Sequence, residues 1–408
     1  MHKEYDIGII GGGLAGASLA CCLAGQALRV AVFEAFPAGS DQPSYDDRGL
    51  ALSLSSRRIL DAINIWPRLT GKAVPVQHIH VSDRGRFGFV RLHAADLNLA
   101  EMGYVVTARE LGQALLEKIS STDNIDYICP ARVRDVHADY ESVSVELEGG
   151  TESGTVSCRL LVAADGTNSL AREKMGIQSD IREYGQTAIV TNITASGNHS
   201  HTAYERFTSE GPLALLPMPE GRWVSIFTVA SEDRDHYLQL DDGSYLAVLQ
   251  AVFGNRLGKF LKAGTRKSYP LRLVRAARQY QGRMVLLGNA AQTVHPNGAQ
   301  GFNLGLRDAA ALAEHITGSV RHNQDPGAER MLREYSKTRS EDQARVTGFT
   351  DAVARLFYND NPLKAVCRNA GMLLLDLSPS LKKTFIQAGM GVYGRQPDLV
   401  RGLRLDQI

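Results

Sequence analysis

The fold of this chain is decided by residues 5–34, YDIGIIGGGLAGASLACCLAGQALRVAVFE. The runs YDIGII (5–10) and RVAVFE (29–34) are short, apolar and rich in β-favouring residues, so they predict two buried strands. The small residues between them predict a helix that begins at Leu14. A strand, a helix and a second strand in this order predict a parallel sheet with a right-handed crossover.

Three glycines before and inside this helix, Gly11, Gly13 and Gly16, have G-x-G-x-x-G spacing. Gly11 permits a tight turn, Gly13 lets a pyrophosphate approach the backbone, and Gly16 lets helix and strand pack closely. Glu34 ends the second strand, where a carboxylate binds an adenosine ribose. Because strand, helix and acid all occur together, we predict a dinucleotide site rather than a turn that merely packs.

The same glycine spacing occurs once more, at Gly389, Gly391 and Gly394. This second match follows a helix-like segment, LKKTFIQA, and no strand with an acidic end comes after it. We therefore assign no nucleotide to it, and the chain carries one dinucleotide fingerprint.

A second block, AADGTNSLAR (163–172), follows a further buried strand. Its Asp165-Gly166 pair forms either a plain turn, with Asn168 or Ser169 capping the next helix, or part of a ligand site. The block alone does not decide between the two.

A third block, LLGNAAQTVHPNGAQGFNLGLRDAAAL (286–312), contains a glycine-rich loop that runs into an apolar helix. Such a loop lays backbone N–H groups against a planar, electron-rich ring, and the helix N-terminus stabilises negative charge that develops there. His295 and Pro296 precede the loop. His295 is either a structural loop histidine or a general base.

Composition excludes several classes of function. The chain has 408 residues and a formal net charge of +1, which gives no electrostatic basis for binding nucleic acid. Its five cysteines show neither metal-ligand nor disulfide spacing, so we expect no metal site and a reduced, cytoplasmic compartment. No uninterrupted apolar run reaches the roughly 18 residues of a membrane helix, so any membrane contact is peripheral.

Together the three blocks resemble the class A flavoprotein monooxygenases. Within that family, VSDRGRFGFVRL (81–92), YERFTSEGPLALLPMP (204–219) and VAADGTNS (162–169) are similar to the hydroxylases of ubiquinone biosynthesis. The resemblance implies bound FAD, NAD(P)H as electron donor, and O2 activated at the C4a position of the reduced flavin. The implied substrate is a lipid-like phenol, 2-polyprenyl-6-methoxyphenol, which is hydroxylated on its ring.

The resemblance also implies a fold, a mixed α/β architecture in which a Rossmann-like FAD-binding domain is interleaved with an antiparallel-sheet substrate domain. We expect the FAD-binding domain to comprise residues 1–80, 105–182 and 278–320. Residues 81–104 and 183–277 would form the substrate domain, and residues 321–408 a helical C-terminal region.

Cofactor-binding residues follow from the same resemblance. Glu34 would bind the adenosine ribose, Arg48 and Arg109 the pyrophosphate region, Val133 the adenine through its backbone, and Asn289 the ribityl chain. Asp165 would support the cofactor and the sheet, and residues 298–303 would line the isoalloxazine. The complete predicted set is Gly11, Gly13, Leu14, Ala15, Gly16, Glu34, Arg48, Arg109, Val133, Asp165, Asn289, Gly298, Ala299, Gln300, Gly301, Phe302 and Asn303.

Asn289 departs from the broad family, which carries an aspartate in this Gly-Asp motif. Asparagine keeps an acceptor oxygen and adds a donor, but it loses the charge. The ubiquinone-biosynthesis subgroup resembles this chain in carrying Gly-Asn-Ala-Ala-Gln. We therefore interpret Asn289 as a mark of the subgroup rather than a lost cofactor.

Substrate contacts are less sharply indicated. Tyr204, Phe207 and Phe227 either line the substrate cavity or fill the core between sheet and helices, and His295 and Pro296 would lie beside the substrate. The sequence identifies no general base.

Other activities on this scaffold stay open. A prenyl-chain reductase, an epoxidase and a flavin-binding assembly subunit without turnover would share the same motifs. An NAD-linked dehydrogenase would need a catalytic proton relay, which we do not find.

The segment 361–394 combines apolar clusters with basic residues. Its leucines would form one apolar surface beside two lysines: Leu373, Leu374, Leu375, Leu377 and Leu381 with Lys382 and Lys383. A basic amphipathic helix of this kind lies in a membrane interface, or docks on its own protein or a partner subunit. The lipid-like substrate favours peripheral contact at the inner face of the membrane, and a ubiquinone-biosynthesis complex is the alternative partner.

Overall fold

The computed structural model describes residues 3–37, 46–148, 154–357, 362–394 and 396–405. The strands are β1 (Lys3–Ile10), β2 (Val30–Phe33), β3 (Gly49–Ser53), β4 (Val74–Val76), β5 (His78–Asp83), β6 (Phe89–His93), β7 (Gly103–Thr107), β8 (Ile125–Ile128), β9 (Arg132–Ala138), β10 (Val143–Glu148), β11 (Gly154–Ala163), β12 (Ser179–Ala195), β13 (Thr202–Phe207), β14 (Leu213–Pro217), β15 (Arg222–Ala230), β16 (Phe260–Ala263), β17 (Lys267–Ala276), β18 (Tyr280–Gln281), β19 (Met284–Leu286) and β20 (Gln292–Thr293). The helices are α1 (Leu14–Cys22), α2 (Leu54–Ala62), α3 (Ala108–Ser120), α4 (Leu170–Lys174), α5 (Arg234–Gln239), α6 (Asp242–Phe253), α7 (Gln300–Arg321), α8 (Glu329–Phe357), α9 (Pro362–Leu377) and α10 (Pro379–Gly389).

The first sheet confirms the predicted parallel arrangement. Its strands β19, β11, β1, β2 and β8 are neighbours in that order and run parallel, and β18 adds an antiparallel edge. The long strand β11 pairs with β10 through its first half and with β19 through its second half. The hairpin β9–β10 therefore extends only one end of this sheet.

Alternating side chains give this sheet two separate cores. Ile7 and Ile9 face a core shared with α1, α3 and α7, while Ile10 and Phe33 face a second core shared with the β9–β10 hairpin and α4. α3 begins at a capping box, in which the Thr107 hydroxyl accepts from the Glu110 N–H and the Glu110 carboxylate reaches back to Thr107.

The second sheet has nine strands in the order β20-β17-β12-β15-β14-β13-β5-β6, with β16 beside β12. One face packs against α6 through a large apolar cluster that includes Trp223 and Phe227. The opposite face, which carries Ala203, Phe207 and Val224, is called the inward face below. The inward face packs against the third sheet, β3-β7-β4, and against the C-terminal helices.

Strand pairing determines two local features. Residues 49–53, which follow Arg48, form β3 because they pair with β7. β5 begins at His78 and β12 at Ser179, so both strands cross the predicted domain boundaries by a few residues. The boundaries themselves stay predictions.

The C-terminal helices confirm the helical character predicted for residues 321–408. α9 and α10 pack on β6 and on α8 through a cluster that includes Met372, Ile386 and Phe357. Within the described residues, no helix combines the length and apolar composition needed to cross a membrane.

Candidate functional site

The three sequence blocks meet at one edge of the first sheet. Ile10 lies opposite Phe33 on one side and Ala163 on the other, and Ala163 lies opposite Leu286. Four parallel strands therefore end in register, and Gly11, Glu34, Asp165 and Asn289 all follow within three residues of these ends. Ligands of open α/β sheets bind in the crevice at such an edge.

Gly11 and Gly16 are required by the geometry of the first turn. Gly11 has a φ of +98°, and a Cβ on it would lie 2.6 Å from the carbonyl oxygen of Ala164. A Cβ on Gly16 would collide with the carbonyl oxygen of Gly11. A side chain at either position would push the helix away from the strand edge, as the glycine spacing predicts.

Glu34 is held firmly at the end of β2. Its two carboxylate oxygens accept hydrogen bonds from the Gly12 N–H at 2.7 Å and the Phe36 N–H at 2.8 Å. The side chain is buried but lines the cavity described below, so its remaining lone pairs are available to hydroxyl donors. This arrangement suits a ribose.

Asp165, at the same edge, has one carboxylate oxygen without a hydrogen-bond partner in the described part of the chain. Its Oδ2 accepts from the Ala171 N–H at 3.1 Å in the first turn of α4, whereas its buried Oδ1 has no hydrogen-bond partner among the described residues. A buried acceptor without a donor is costly unless a ligand or water supplies one. Asp165 therefore both supports the fold and offers an acceptor to a ligand.

These residues surround a cavity of about 340 Å³, a size within the usual range of ligand pockets. The cavity brings together five of the predicted cofactor residues, Gly11, Gly13, Glu34, Val133 and Asp165. Val133 comes from β9, so the antiparallel hairpin forms the far wall.

Leu14, Ala15 and Asn289 lie at the N-terminus of α1. Leu14 and Ala15 are the first two helical residues, and Gly288 packs so closely on Ala15 that a Cβ on Gly288 would lie 2.9 Å from the Ala15 Cβ. The adjacent Asn289 is exposed, and its side-chain amide makes no hydrogen bond with any described residue. The structure thus brings the first and third sequence blocks into contact, and it leaves the Asn289 amide available to bind a ligand.

The predicted flavin loop forms a strained entrance to α7. Gly298 and Ala299 both have left-handed backbone conformations, with φ of +68° and +52°, and no side chain caps the first turn of α7. Left-handed alanine is uncommon and is often retained at a functional site. Gly301 has space around it, since a Cβ added there would lie 3.7 Å from its nearest neighbour, Val294. Phe302 is half-buried against the first core.

Gln300 and Asn303 use their side chains inside the protein. The Gln300 amide donates to the carbonyl oxygens of Gly298 and Gly389, and the Asn303 oxygen accepts from the Ser53 N–H at 2.8 Å and the Ser56 hydroxyl at 2.6 Å. The Asn303 amide donates to two further carbonyls. Both residues can therefore serve a flavin ring through their backbone, while their side chains hold the loop in place.

Arg48 and Arg109 do not line the cavity. The Arg48 guanidinium lies 3.2 Å from the buried carboxylate of Asp46, and Arg109 contacts both oxygens of Asp47, the nearer at 2.8 Å. The Arg109 N–H also donates to the Asp46 backbone, so the two arginines lie on one connected segment. Their predicted contact with the pyrophosphate would require these ion pairs to open.

Of the three predicted aromatic substrate residues, two face the wrong side of the sheet. Phe227 is fully buried in the cluster shared with α6, and the Tyr204 ring packs 5.3 Å from that of Phe253 in α6. The alternation of the strands turns these side chains away from the flavin loop, so both fill the core. Phe207 alone lies on the inward face, where it stacks on Phe357 at 3.5 Å between ring centroids.

His295 and Pro296 shape the loop before α7. The Nδ1 of His295 accepts from the Asn297 N–H at 3.3 Å, and the Pro296 carbonyl accepts from the Ala299 N–H at 2.8 Å. Burial lowers the pKa of His295 to about 4, so the ring is neutral at physiological pH. These contacts support the structural interpretation of His295 over a general base.

A small cavity connects this loop to the inward face. His295 and Asn297 line it from the loop, and Phe207 and Pro212 line it from the second sheet. The predicted ring-binding loop and the predicted substrate domain therefore adjoin. Among the described residues, no group of three or more histidine, cysteine or acidic side chains is arranged to hold a metal ion.

The site fits FAD on its own geometry. The N-terminus of α1 carries neither a capping side chain nor an acidic residue in its first turn, so its N–H groups remain available to a pyrophosphate. The glycine turn, the acceptor oxygens of Glu34 and Asp165 and the uncapped α7 would hold the adenosine, pyrophosphate and ring portions. The sequence does not single out Glu205 of β13, whose place on the inward face depends on strand register.

Comparisons with known proteins agree with this geometry. The FAD-binding-domain family model matches residues 4–350. Ubiquinone hydroxylase UbiL of Rhodospirillum rubrum is 37% identical over 407 residues, which cover 99% of this chain and 94% of the relative. The 3-demethoxyubiquinol 3-hydroxylase of Escherichia coli is 28% identical, with 96% of this chain and 100% of the relative covered.

The fold also matches a solved structure, p-nitrophenol 4-monooxygenase PnpA from Pseudomonas putida. The TM-score is 0.82 at 18% identity, with 97% of this chain and 100% of that chain covered. The chain therefore belongs to the FAD-binding-domain family and is an FAD-dependent aromatic-ring monooxygenase similar to the ubiquinone hydroxylases.

Proposed function

We propose that the chain hydroxylates the ring of a polyprenylated phenol, such as 2-polyprenyl-6-methoxyphenol, in ubiquinone biosynthesis. The proposal is supported by the relatives of the chain, which include a ubiquinone hydroxylase and a 3-demethoxyubiquinol 3-hydroxylase. One observation in the structure carries it: the flavin loop at His295 and Asn297 adjoins the apolar inward face at Phe207 and Pro212. A ring held there would lie between the cofactor site and the second sheet.

Bound FAD would take electrons from NAD(P)H and activate O2 for transfer to the ring. The chain's own residues would hold the cofactor and exclude water from the reacting groups. Glu34 and Asp165 would fix the adenosine end, and the N–H groups at the start of α7 would stabilise negative charge on the flavin ring. The inward face, which carries Ala203, Phe207 and Val224, would exclude water from the reacting ring.

The test is product analysis of the purified holoenzyme with a short-chain 2-prenyl-6-methoxyphenol, NAD(P)H and O2. The proposal expects a product with one more ring hydroxyl, formed only when all three are present. A saturated prenyl chain without added oxygen would indicate a reductase, and oxygen on the prenyl chain an epoxidase. Peroxide release without any product would indicate an assembly subunit. The relatives do not decide the ring position, which the product spectrum would assign.

We also propose peripheral contact with an acidic membrane surface, through α9, α10 and the β5–β6 turn. The apolar side chains exposed there are Phe87, Val366, Leu374, Leu377 and Leu381, and exposed cations lie beside them at Arg84, Arg86 and Lys383. A surface that combines apolar and basic side chains matches anionic lipid headgroups and their acyl chains. A polyprenyl substrate would reach the enzyme from such a surface.

The structure changes the composition predicted for this surface. Lys382 donates to the Asp376 carboxylate at 3.4 Å and is largely buried, so it does not present its charge to solvent. Leu375 packs into the cluster beside β6, and Leu373 is half-buried. Of the five predicted leucines, Leu374, Leu377 and Leu381 remain on the exposed surface.

Co-sedimentation with anionic vesicles tests this contact. The full chain should pellet with vesicles, and Arg86→Glu/Lys383→Glu should pellet several-fold less because two surface cations become anions. The matched control Lys72→Glu/Lys337→Glu makes the same charge change at exposed positions elsewhere. Equal pelleting of both double variants, or none by the unaltered chain, would contradict membrane contact and favour delivery of the substrate by a partner complex.

A further inference from the structure

Glu205 interrupts an apolar row that crosses the second sheet. In β13 it lies opposite Val81 of β5 and Ala214 of β14. The same row continues into β6, β15, β12 and β17. The residues of this row nearest to Glu205 are all apolar: Val90, Val81, Ala214, Ile226 and Val190. A carboxyl group in the middle of such a row has no role in packing the sheet.

The side chain of Glu205 lies on the inward face. Its neighbours in the strand face α6, since the Tyr204 ring packs on Phe253 and the Arg206 Nε donates to the Val252 carbonyl at 2.9 Å. Alternation along β13 therefore turns Glu205 the other way, together with Phe207. Phe207 is two residues, or about 7 Å of strand, from Glu205 and touches the same small cavity as the flavin loop.

No described residue satisfies this carboxyl group. Glu205 makes no hydrogen bond or ion pair with any of them, and its side chain is partly buried. The nearest acid on the same face, Asp83, already binds the Arg368 Nε at 2.8 Å, so that cation is not available to Glu205. Burial raises the pKa of Glu205 to about 7.

A partly buried acid that has no partner among the described residues, on the same face as Phe207 and the small cavity at the flavin loop, calls for a functional explanation. We propose that Glu205 is a catalytic residue that binds the phenol hydroxyl of the substrate and accepts its proton. The inference rests on the proposed function, since it requires a phenolic ring on the inward face. It assigns the general base that the sequence alone does not identify.

Every proton and electron pair in the proposed step has a source and a destination. The phenol O–H bond breaks, its proton moves to the Glu205 carboxylate, and the electron pair enters the ring and makes the reacting carbon more nucleophilic. That carbon then gains one oxygen atom derived from O2 and loses its hydrogen as a proton. Glu205 returns its proton to the phenol oxygen as aromaticity is restored. The second oxygen atom leaves as water, with two electrons supplied by NAD(P)H.

Three variants test the role: Glu205→Gln, Glu205→Asp, and the control Glu210→Gln. Glu210 is an exposed acid on the next turn of the same hairpin. The first measurement is the absorbance of a short-chain 2-prenyl-6-methoxyphenol bound to the oxidised holoenzyme, from about pH 5 to 9. The unaltered enzyme and the control should bind the phenol with a midpoint near pH 7 that Glu205→Gln abolishes.

The second measurement is kcat with NAD(P)H and O2. Glu205→Gln should lower kcat by roughly 100-fold or more, the usual loss when a general base is removed. A nitro-substituted phenol, which is already ionised at neutral pH, should recover most of this loss. Glu205→Asp keeps the acid but shortens its reach, so it should retain the pH dependence with a smaller loss.

A Glu205→Gln enzyme with kcat within threefold of the unaltered enzyme and the same pH midpoint would overturn the inference. So would an equal loss of kcat on the ionised and the neutral phenol, because that result indicates a structural role. If Glu205→Gln fails to hold FAD, the second criterion applies to Glu205→Asp, whose smaller loss of kcat must also be recovered with the ionised phenol. If the unaltered enzyme binds phenol but forms no hydroxylated product, the proposed function fails, while the absorbance titration still decides the contact with Glu205.

Discussion

Glu34→Gln should weaken FAD binding because of how the two carboxylate oxygens are already used. Each accepts one backbone N–H, from Gly12 and Phe36, before any ligand binds. An amide offers only one oxygen, so its NH2 group would face the second N–H and the side chain would have to turn. The turned, uncharged side chain would no longer present a carboxylate to the ribose, so one charge-assisted hydrogen bond to FAD would be lost. A loss of about 2 kcal/mol follows, which corresponds to a roughly 30-fold higher Kd for FAD.

The assay is titration of the apoprotein with FAD, followed by quenching of flavin fluorescence. Asp6→Asn is the matched control, since its carboxylate also accepts a backbone N–H, from Arg29 at 2.9 Å, but at the opposite end of β1. The control should bind FAD as the unaltered chain does. A Kd for Glu34→Gln within twofold of the unaltered value, in a folded protein, would refute the assignment of Glu34 to the ribose.

Four further outcomes follow from the same structure. Gly13→Val should abolish FAD binding, measured as flavin absorbance after reconstitution, because a side chain would fill the approach of the pyrophosphate. Asn289→Asp should keep FAD and part of the activity, since both residues offer an acceptor oxygen; a folded, flavin-free variant would show that the amide donor is needed. Arg339→Met should lower the free energy of unfolding in urea by about 3–5 kcal/mol, because it leaves the fully buried Asp308 without its 2.6 Å partner, and adding Asp308→Asn should recover part of the loss. Ionisation of Glu205, whose pKa is raised from 4.5 to about 7, destabilises the fold as pH rises from about 4.5 to 7, so Glu205→Gln should reduce the stability lost across this window by roughly 1–2 kcal/mol.

The cofactor edge was predictable because its signals are local. Gly16 is required by a contact with Gly11 in the same turn, and the Glu34 position follows from the length of one strand–helix–strand unit. The blocks at Asp165 and Asn289 also begin directly after strands, so their convergence follows once those strands are parallel neighbours.

The substrate side was harder because it depends on register and on partners distant in sequence. Alternation shows that Tyr204 and Glu205 face opposite ways, but it does not show which side α6 covers. For this reason the sequence left open whether Phe227 lines the cavity or fills the core, and it did not single out Glu205. The ion pair of Arg109 with Asp47 was equally invisible, because only the folded chain brings α3 next to that segment.

Labelling with ¹⁸O2 tests the central claim most directly. The holoenzyme would be supplied with NAD(P)H and a short-chain 2-prenyl-6-methoxyphenol under ¹⁸O2, and the product analysed by mass spectrometry with fragmentation of the ring and the chain. We expect a single ¹⁸O atom in a new ring hydroxyl, with no label in the prenyl chain. A product whose new oxygen comes from water, or whose label lies on the chain, would contradict ring hydroxylation by this enzyme.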